Sequence, residues 1–273
     1  MKIYAIRNDN YSEVASYLIY SKAEKQFAIE ITQDADEWKT PLLIASFLKR
    51  NITTIDPFHS KEWVKQRIVP TDRQNLGQIL RDNGLKTYDE YELLILGNGR
   101  CAQDDHYIDE IDFGELPADI QERMNKRIKG AVPLGNGQYL VCFLDGCIKK
   151  CNISEFSRDN ERLEGVFRLY PSEMDNARPL TDGYGFGWGD DMCILYPSLY
   201  SKGTDLPINY SELTSAIKNS LVSSAEAGYI LDCSRQYINE LVRKGRLKPI
   251  KFSGKNPLFL KSDVINIRYT QKS

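Results

Sequence analysis

Long apolar runs are absent from this 273-residue chain: a charge, a Gly or a Pro interrupts each one well before the roughly 18 residues that a membrane helix needs. Mean hydropathy is -0.45. The opening segment, Met1-Lys2-Ile3-Tyr4-Ala5-Ile6-Arg7, lacks an apolar core of signal-peptide length. Together these absences predict a cytoplasmic protein with no membrane association. Six cysteines spread over the chain supply no disulfide framework and fit a reducing compartment. Histidine is scarce, with only His59 and His106. No period of 20–50 residues repeats, which excludes a solenoid, and no tract is of low complexity.

What is present is an ordinary globular composition, 41% hydrophobic and 27% charged. The net charge of -2 conceals an asymmetry. Residues 223–273 hold ten Lys/Arg against four Asp/Glu, a net of +6, and the other 222 residues carry 26 basic and 34 acidic side chains, a net of -8. A basic end on an acidic body points to a polyanionic partner for that end, against the simpler reading of a solubilising charged surface.

The pattern along the chain predicts a multi-domain α+β protein of three units. Residues 1–113 form an N-terminal α+β unit. Met1–Arg7 reads as a strand, and residues 16–20 and 26–31 read as a hairpin turning at 22–25. Helices are expected over 38–50, over 60–69 with Ser60 as N-cap, over 76–83 and over 88–96. Residues 120–202 form a small β-rich unit. Asn136-Gly137 and Asp145-Gly146 punctuate a three-stranded meander, and strands are expected at 184–188 and 192–195. Residues 211–273 form the third unit, opened by a helix at 211–220.

That third unit carries the clearest local signals. Ser223-x-x-Glu226 is a capping box for a helix ending at Leu231. Asp232-Cys233-Ser234 is a tight turn, and Ser234 caps a second helix from Arg235 to Lys244 that Gly245 terminates. Ile238, Leu241 and Val242 share its inner face, leaving Arg235, Gln236, Asn239 and Arg243 outward. These are residue types that hydrogen-bond base edges, Arg with guanine and Asn or Gln with adenine. Residues 248–252 and 257–260 then flank Ser253-Gly254-Lys255-Asn256 as a basic-tipped hairpin, and Ser262-Asp263-Val264 starts a closing helix.

These residues resemble the excisionase-like and MerR-like winged helix-turn-helix family. The likeness lies in Ser224-Ala225-Glu226-Ala227, Ser234-Arg235-Gln236-Tyr237-Ile238, Arg243-Lys244-Gly245-Arg246-Leu247-Lys248-Pro249 and Ser262-Asp263-Val264. It implies a recognition helix in the major groove of double-stranded DNA and a wing on the backbone. The DNA-binding set is then Ser234, Arg235, Gln236, Tyr237, Asn239, Arg243, Lys244, Arg246, Lys251 and Lys255. The middle unit resembles the bacterial domain-of-unknown-function family numbered twenty-four forty-two. The match lies in residues 131–134, 140–146, 152–154, 183–189 and 195–200. That likeness implies a regulator-associated or antitoxin-like interaction module.

Catalytic and metal readings are weaker. Gly183-Tyr184-Gly185-Phe186-Gly187-Trp188-Gly189 has neither the Lys-Ser/Thr of a phosphate loop nor a following helix, so it reads as a packed aromatic strand. Cys142, Cys147 and Cys151 lack zinc spacing and read as mostly buried thiols. Cys101 beside Arg100, with His106 as base, is the one nucleophile–base candidate, and a turn with a packed Cys explains the same residues. The acidic residues around His106 read as a solvated loop. The expectation is a homodimeric DNA-binding transcriptional regulator, without cofactor, metal or enzymatic activity, whose first two units sense or hold a partner. The rival is an antitoxin-like protein that binds a protein encoded nearby and autoregulates through its helix-turn-helix.

Overall fold

The computed structural model describes residues 1–189, 192–253 and 256–270. The chain is mixed α+β and divides into two compact units, Met1–Leu206 and Pro207–Ser273.

In the first unit, β1 (Lys2–Asn8), β2 (Tyr11–Ser21), β3 (Gln26–Ile31), β4 (Thr54–Ile55) and β5 (His106–Ile111) form a sheet in the order β4-β3-β2-β1-β5. Its neighbours are all antiparallel. Successive side chains on a strand point to opposite faces, and here both faces are buried. Tyr4, Ile6, Leu18, Tyr20, Phe27, Ile29 and Ile31 pack on one side against α1 (Leu42–Leu48), α2 (Pro57–Lys65) and α4 (Glu90–Leu96), through Ile44, Phe47, Trp63, Val64 and Leu94. The short α3 (Leu76–Asp82) has no buried residue.

The opposite face, with Ile3, Ala5, Tyr17, Ile19 and Ala28, shares a core with residues 116–199. That stretch contributes α5 (Ala118–Met124) and the meander β6 (Ile128–Gly135), β7 (Gln138–Phe143) and β8 (Ile148–Asn152). Next come α6 (Ile153–Phe156), α7 (Glu161–Leu169), β9 (Arg178–Pro179), β10 (Gly185–Gly187), β11 (Cys193–Leu195), α8 (Tyr196–Lys202) and β12 (Thr204–Asp205). The expected break between residues 113 and 120 therefore does not separate two cores. Ile120 and Met124 of α5 are fully buried against the same sheet that residues 1–113 build.

Several local expectations are corrected. The helix expected over 38–50 is interrupted, because Pro41 lacks an N–H and becomes the N-cap of α1 after a 3₁₀ turn at Glu37–Lys39. α2 begins at Pro57 with Asp56 as its cap, accepting from His59 N at 3.0 Å, so Ser60 is a buried helix residue and no cap. The acidic segment around His106 is an edge strand, β5, and His106 itself is buried. Helices α5, α6 and α7 have no counterpart in the sequence reading. The two turns of the meander form as expected, with Asn136 and Gly137 both at positive φ. Gly185 and Gly187 share one face of β10, where a Cβ on Gly185 would lie 2.2 Å from the Ile194 carbonyl oxygen, and Phe186 packs oppositely on Tyr139. Between the strands expected at 184–188 and 192–195, the connection expected to turn through Gly189-Asp190-Asp191 includes residues 190 and 191, which lie outside the described residues.

The second unit comprises α9 (Tyr210–Ser220), β13 (Leu221–Ser223), α10 (Ser224–Leu231), α11 (Arg235–Arg243), β14 (Lys251–Ser253), β15 (Asn256–Leu260) and α12 (Lys261–Thr270). Its strands form an antiparallel sheet in the order β13-β15-β14. The core is Val222, Ala227, Ile238, Leu241, Leu247, Phe259, Val264 and Ile267.

Candidate nucleic-acid interface

Two helices and a turn position the outward residues of the second unit. Ser223 and Glu226 make a reciprocal capping box: Glu226 N donates to Ser223 Oγ at 3.3 Å and Ser223 N donates to Glu226 Oε2 at 2.8 Å. The Ser223 N–H and the Ser223 hydroxyl, the latter also at 2.8 Å, both donate to the Glu226 carboxylate and hold it below its ordinary range. α10 ends on Asp232 at φ 53, a left-handed position that Asp tolerates better than most residues. The turn then closes on Gly228, where a Cβ would sit 2.9 Å from the Cys233 carbonyl oxygen. Ser234 caps α11 by accepting from Tyr237 N at 3.3 Å, and Gly245 at φ 70 ends it.

α11 is sharply two-sided. Ile238 and Leu241 are buried, while Arg235, Gln236, Asn239 and Arg243 are exposed. The structure thus brings these four onto one solvent face, as the period predicts. Tyr237 is half-buried and packs against the core. Lys244 is exposed and paired with Glu240 at 2.5 Å, and this ion pair pulls the Glu240 carboxyl down. Arg246 follows the helix, exposed, and Lys251 is exposed on β14. Lys255 lies outside the described residues.

Two features escaped the sequence reading. Arg235 Nη2 donates to Asn256 Oδ1 at 2.9 Å, tying the start of α11 to the start of β15. Tyr229 on α10 is 90% exposed and, with Ser234 and Arg235, lines an open depression. An Asn at the end of a hairpin turn is a visible signal for the first, and none marks the second.

The catalytic and metal candidates of the first unit are placed differently. His106 Nε2 lies 3.2 Å from the Lys39 carbonyl oxygen, and Nδ1 lies 3.4 Å from Asp104 Oδ1. No hydrogen bond joins His106 to Cys101 among the described residues. Asp104 also accepts from the buried Arg67 Nη2 at 2.5 Å. Burial works against the Asp104 carboxylate, but His106 and Arg67 outweigh it and hold the group far below its ordinary range. Cys142 and Cys151 are buried, and Cys147 is exposed. Burial pushes the Cys151 thiol up to about 12. Among the described residues no group of three or more His, Cys, Asp or Glu could hold a metal, and no helix is long and apolar enough to cross a membrane. Comparison with protein-family models, curated proteins and solved structures finds no match for the chain.

Proposed function

We propose that residues 207–273 act as a winged helix-turn-helix that binds duplex DNA. Residues 1–206 then serve as a sensing or protein-interaction body in a transcriptional regulator. The observation that carries this reading is the exposed polar face of α11, with Arg235, Gln236, Asn239 and Arg243 together, on the most basic part of the chain. Residues near the start of a recognition helix contact base edges, which assigns Arg235 and Gln236 to sequence reading. Arg243, Lys244, Arg246 and Lys251 take phosphates. A homodimer would place two such helices on half-sites about one helical turn apart.

A binding series across salt concentrations tests this. Gln236→Ala should cost about 1–3 kcal/mol on the preferred site and little on random DNA. Arg243→Ala should weaken all sequences alike and reduce the salt slope by roughly one. If substitutions at Arg235, Gln236, Arg243 and Lys251 all leave DNA affinity unchanged, the basic unit is only a charged surface. A second reading, an antitoxin-like protein holding a protein partner, draws on Trp38 and Leu42 of the first unit, 83% and 88% exposed. Co-expression with the neighbouring gene product, with Trp38→Ala and Leu42→Ala variants as controls, separates the two.

A further inference from the structure

Arg235 and Asn256 belong to different elements, and each is anchored independently. Arg235 is the first residue of α11, whose start Ser234 fixes by accepting from Tyr237 N. Asn256 opens β15 and stands opposite Ser253 in the β14–β15 ladder. Strand alternation puts Asn256 and Leu258 on one face with Lys251 and Ser253. Asn256 Oδ1 accepts from Arg235 Nη2 at 2.9 Å. Both side chains are exposed and neither belongs to the core, so packing does not account for the bond.

The chemistry of the partner is specific. An arginine carries five N–H donors in a planar fork and no acceptor. One bond to a single amide oxygen leaves the donors that a bidentate contact with guanine O6 and N7 uses. An amide is also uncharged. Among the described residues no carboxylate pairs with Arg235, whereas Lys244, at the other end of α11, is paired with Glu240. Asn256 thus fixes the guanidinium without cancelling the charge that a polyanion attracts. A free arginine loses rotamer freedom on binding, and one already held loses less.

We propose that Asn256 is a positioning residue for base reading, holding Arg235 before DNA arrives in the conformer that meets guanine at the start of α11. The proposal rests on the DNA-binding reading above. Asn256 needs no contact with DNA of its own. Its effect passes through Arg235, so it sharpens the choice of base at one position and leaves the rest of the interface as it is.

The test uses the full chain and a pool of DNA duplexes with a randomised central segment. Wild type and Arg235→Ala each select from the pool. The base pair whose preference Arg235→Ala abolishes is the one that Arg235 reads, and it should carry guanine. Two duplexes that differ only at that pair, guanine against adenine, then give a preference ratio. Asn256→Ala should lower this ratio by about fivefold or more, with affinity for random duplex and its salt slope unchanged. Asn256→Asp keeps the acceptor and adds a negative charge. It should weaken binding to both duplexes and preserve the ratio, because the charge acts on both alike. Asn256 is exposed, so circular dichroism should show both variants folded. A merely structural role lowers affinity for every duplex equally, and that result overturns the proposal. So does an unchanged ratio in Asn256→Ala, or a ratio lost in Asn256→Asp. Tighter binding by Asn256→Ala overturns it as well, since the bond would then hold Arg235 away from DNA. A wild type that binds duplex without a preference dependent on Arg235 has the same consequence. If the wild type binds no duplex at all, the DNA-binding reading itself falls, a result distinct from each of these.

Discussion

Tyr196 donates its hydroxyl hydrogen to Glu30 Oε1 across 3.1 Å, between two side chains with no exposed surface. Glu30 Oε2 accepts from Thr54 Oγ1 at 3.0 Å and from Arg123 Nε at 2.9 Å, and Arg123 Nη2 donates to the Ile31 carbonyl at 2.7 Å. Glu30 lies on the sheet face of Ala28, the face shared with residues 116–199. One carboxylate therefore joins β3, β4, α5 and α8, the halves that the sequence divides into two units. The Tyr184 hydroxyl is buried in the same core and has no hydrogen-bond partner among the described residues.

The two tyrosines should respond differently to loss of the hydroxyl. Tyr196→Phe removes a buried hydrogen bond and leaves a Glu30 oxygen without that donor, and should cost about 1–3 kcal/mol in chemical denaturation. Tyr184→Phe removes a buried, unpaired polar atom and should be neutral or stabilising. Equal losses would show that the network is not what distinguishes them.

Glu30 also sets a pH dependence. Burial pushes its carboxyl pKa up, and Arg123 with the two hydroxyls only partly reverses this. A raised folded-state pKa means that the folded form keeps the proton while the unfolded carboxyl, at about 4.3, releases it. Stability from this group is then present below pH of about 4.3 and declines as pH rises toward the folded pKa. Glu30→Gln should flatten that part of the stability–pH curve, measured by urea melts at successive pH values.

Ion pairs at two depths offer a direct contrast. Arg67 is buried and stacked on Trp63 at 3.9 Å, with Asp104 as its counterion. Asp104→Ala strands that guanidinium and should cost about 3–5 kcal/mol. Asp9 pairs with Arg100 through two bonds, at 2.7 and 3.0 Å, with both side chains half-exposed. Asp9→Ala should cost far less than Asp104→Ala, because water and salt screen an exposed pair. Thermal melts of the two variants, side by side, decide the order.

Two glycines at positive φ should differ for steric reasons. A Cβ on Gly183 would lie 2.0 Å from the Ile128 carbonyl oxygen, and φ there is +78. Gly183→Ala should prevent stable folding of residues 1–206, since backbone must move. Gly245 has φ +70 and open space around it, so Gly245→Ala should cost only about 1 kcal/mol of backbone strain. Limited proteolysis of each variant reads the outcome by unit.

Leu241→Ala should unfold residues 207–273 or weaken them by about 2–5 kcal/mol, since Leu241 is 1% exposed in a small core. A Leu241 variant that folds normally by circular dichroism and near-ultraviolet signal would contradict the packing described.

The sequence alone determined what is local. The Ser223–Glu226 box, the Ser234 cap, the Gly245 stop and the Asn136-Gly137 turn each depend on residues within a few positions, and each formed where its chemistry placed it. The two-sided character of α11 followed from its period. Where a local rule was missed, it was a stronger local rule that won: Pro41 divided a helix, and Asp56 out-competed Ser60 as a cap. Tertiary structure decided the rest. β5 pairs with β1 across about a hundred residues, His106 opposite Asn8, and this turns an acidic stretch into a strand with a buried histidine. The five-stranded sheet is buried on both faces, so residues 1–113 and 120–202 share one core. Apolar burial carries no direction and no address in sequence. Which faces meet is settled only when the whole chain is packed, and so is the bond that ties Arg235 to Asn256.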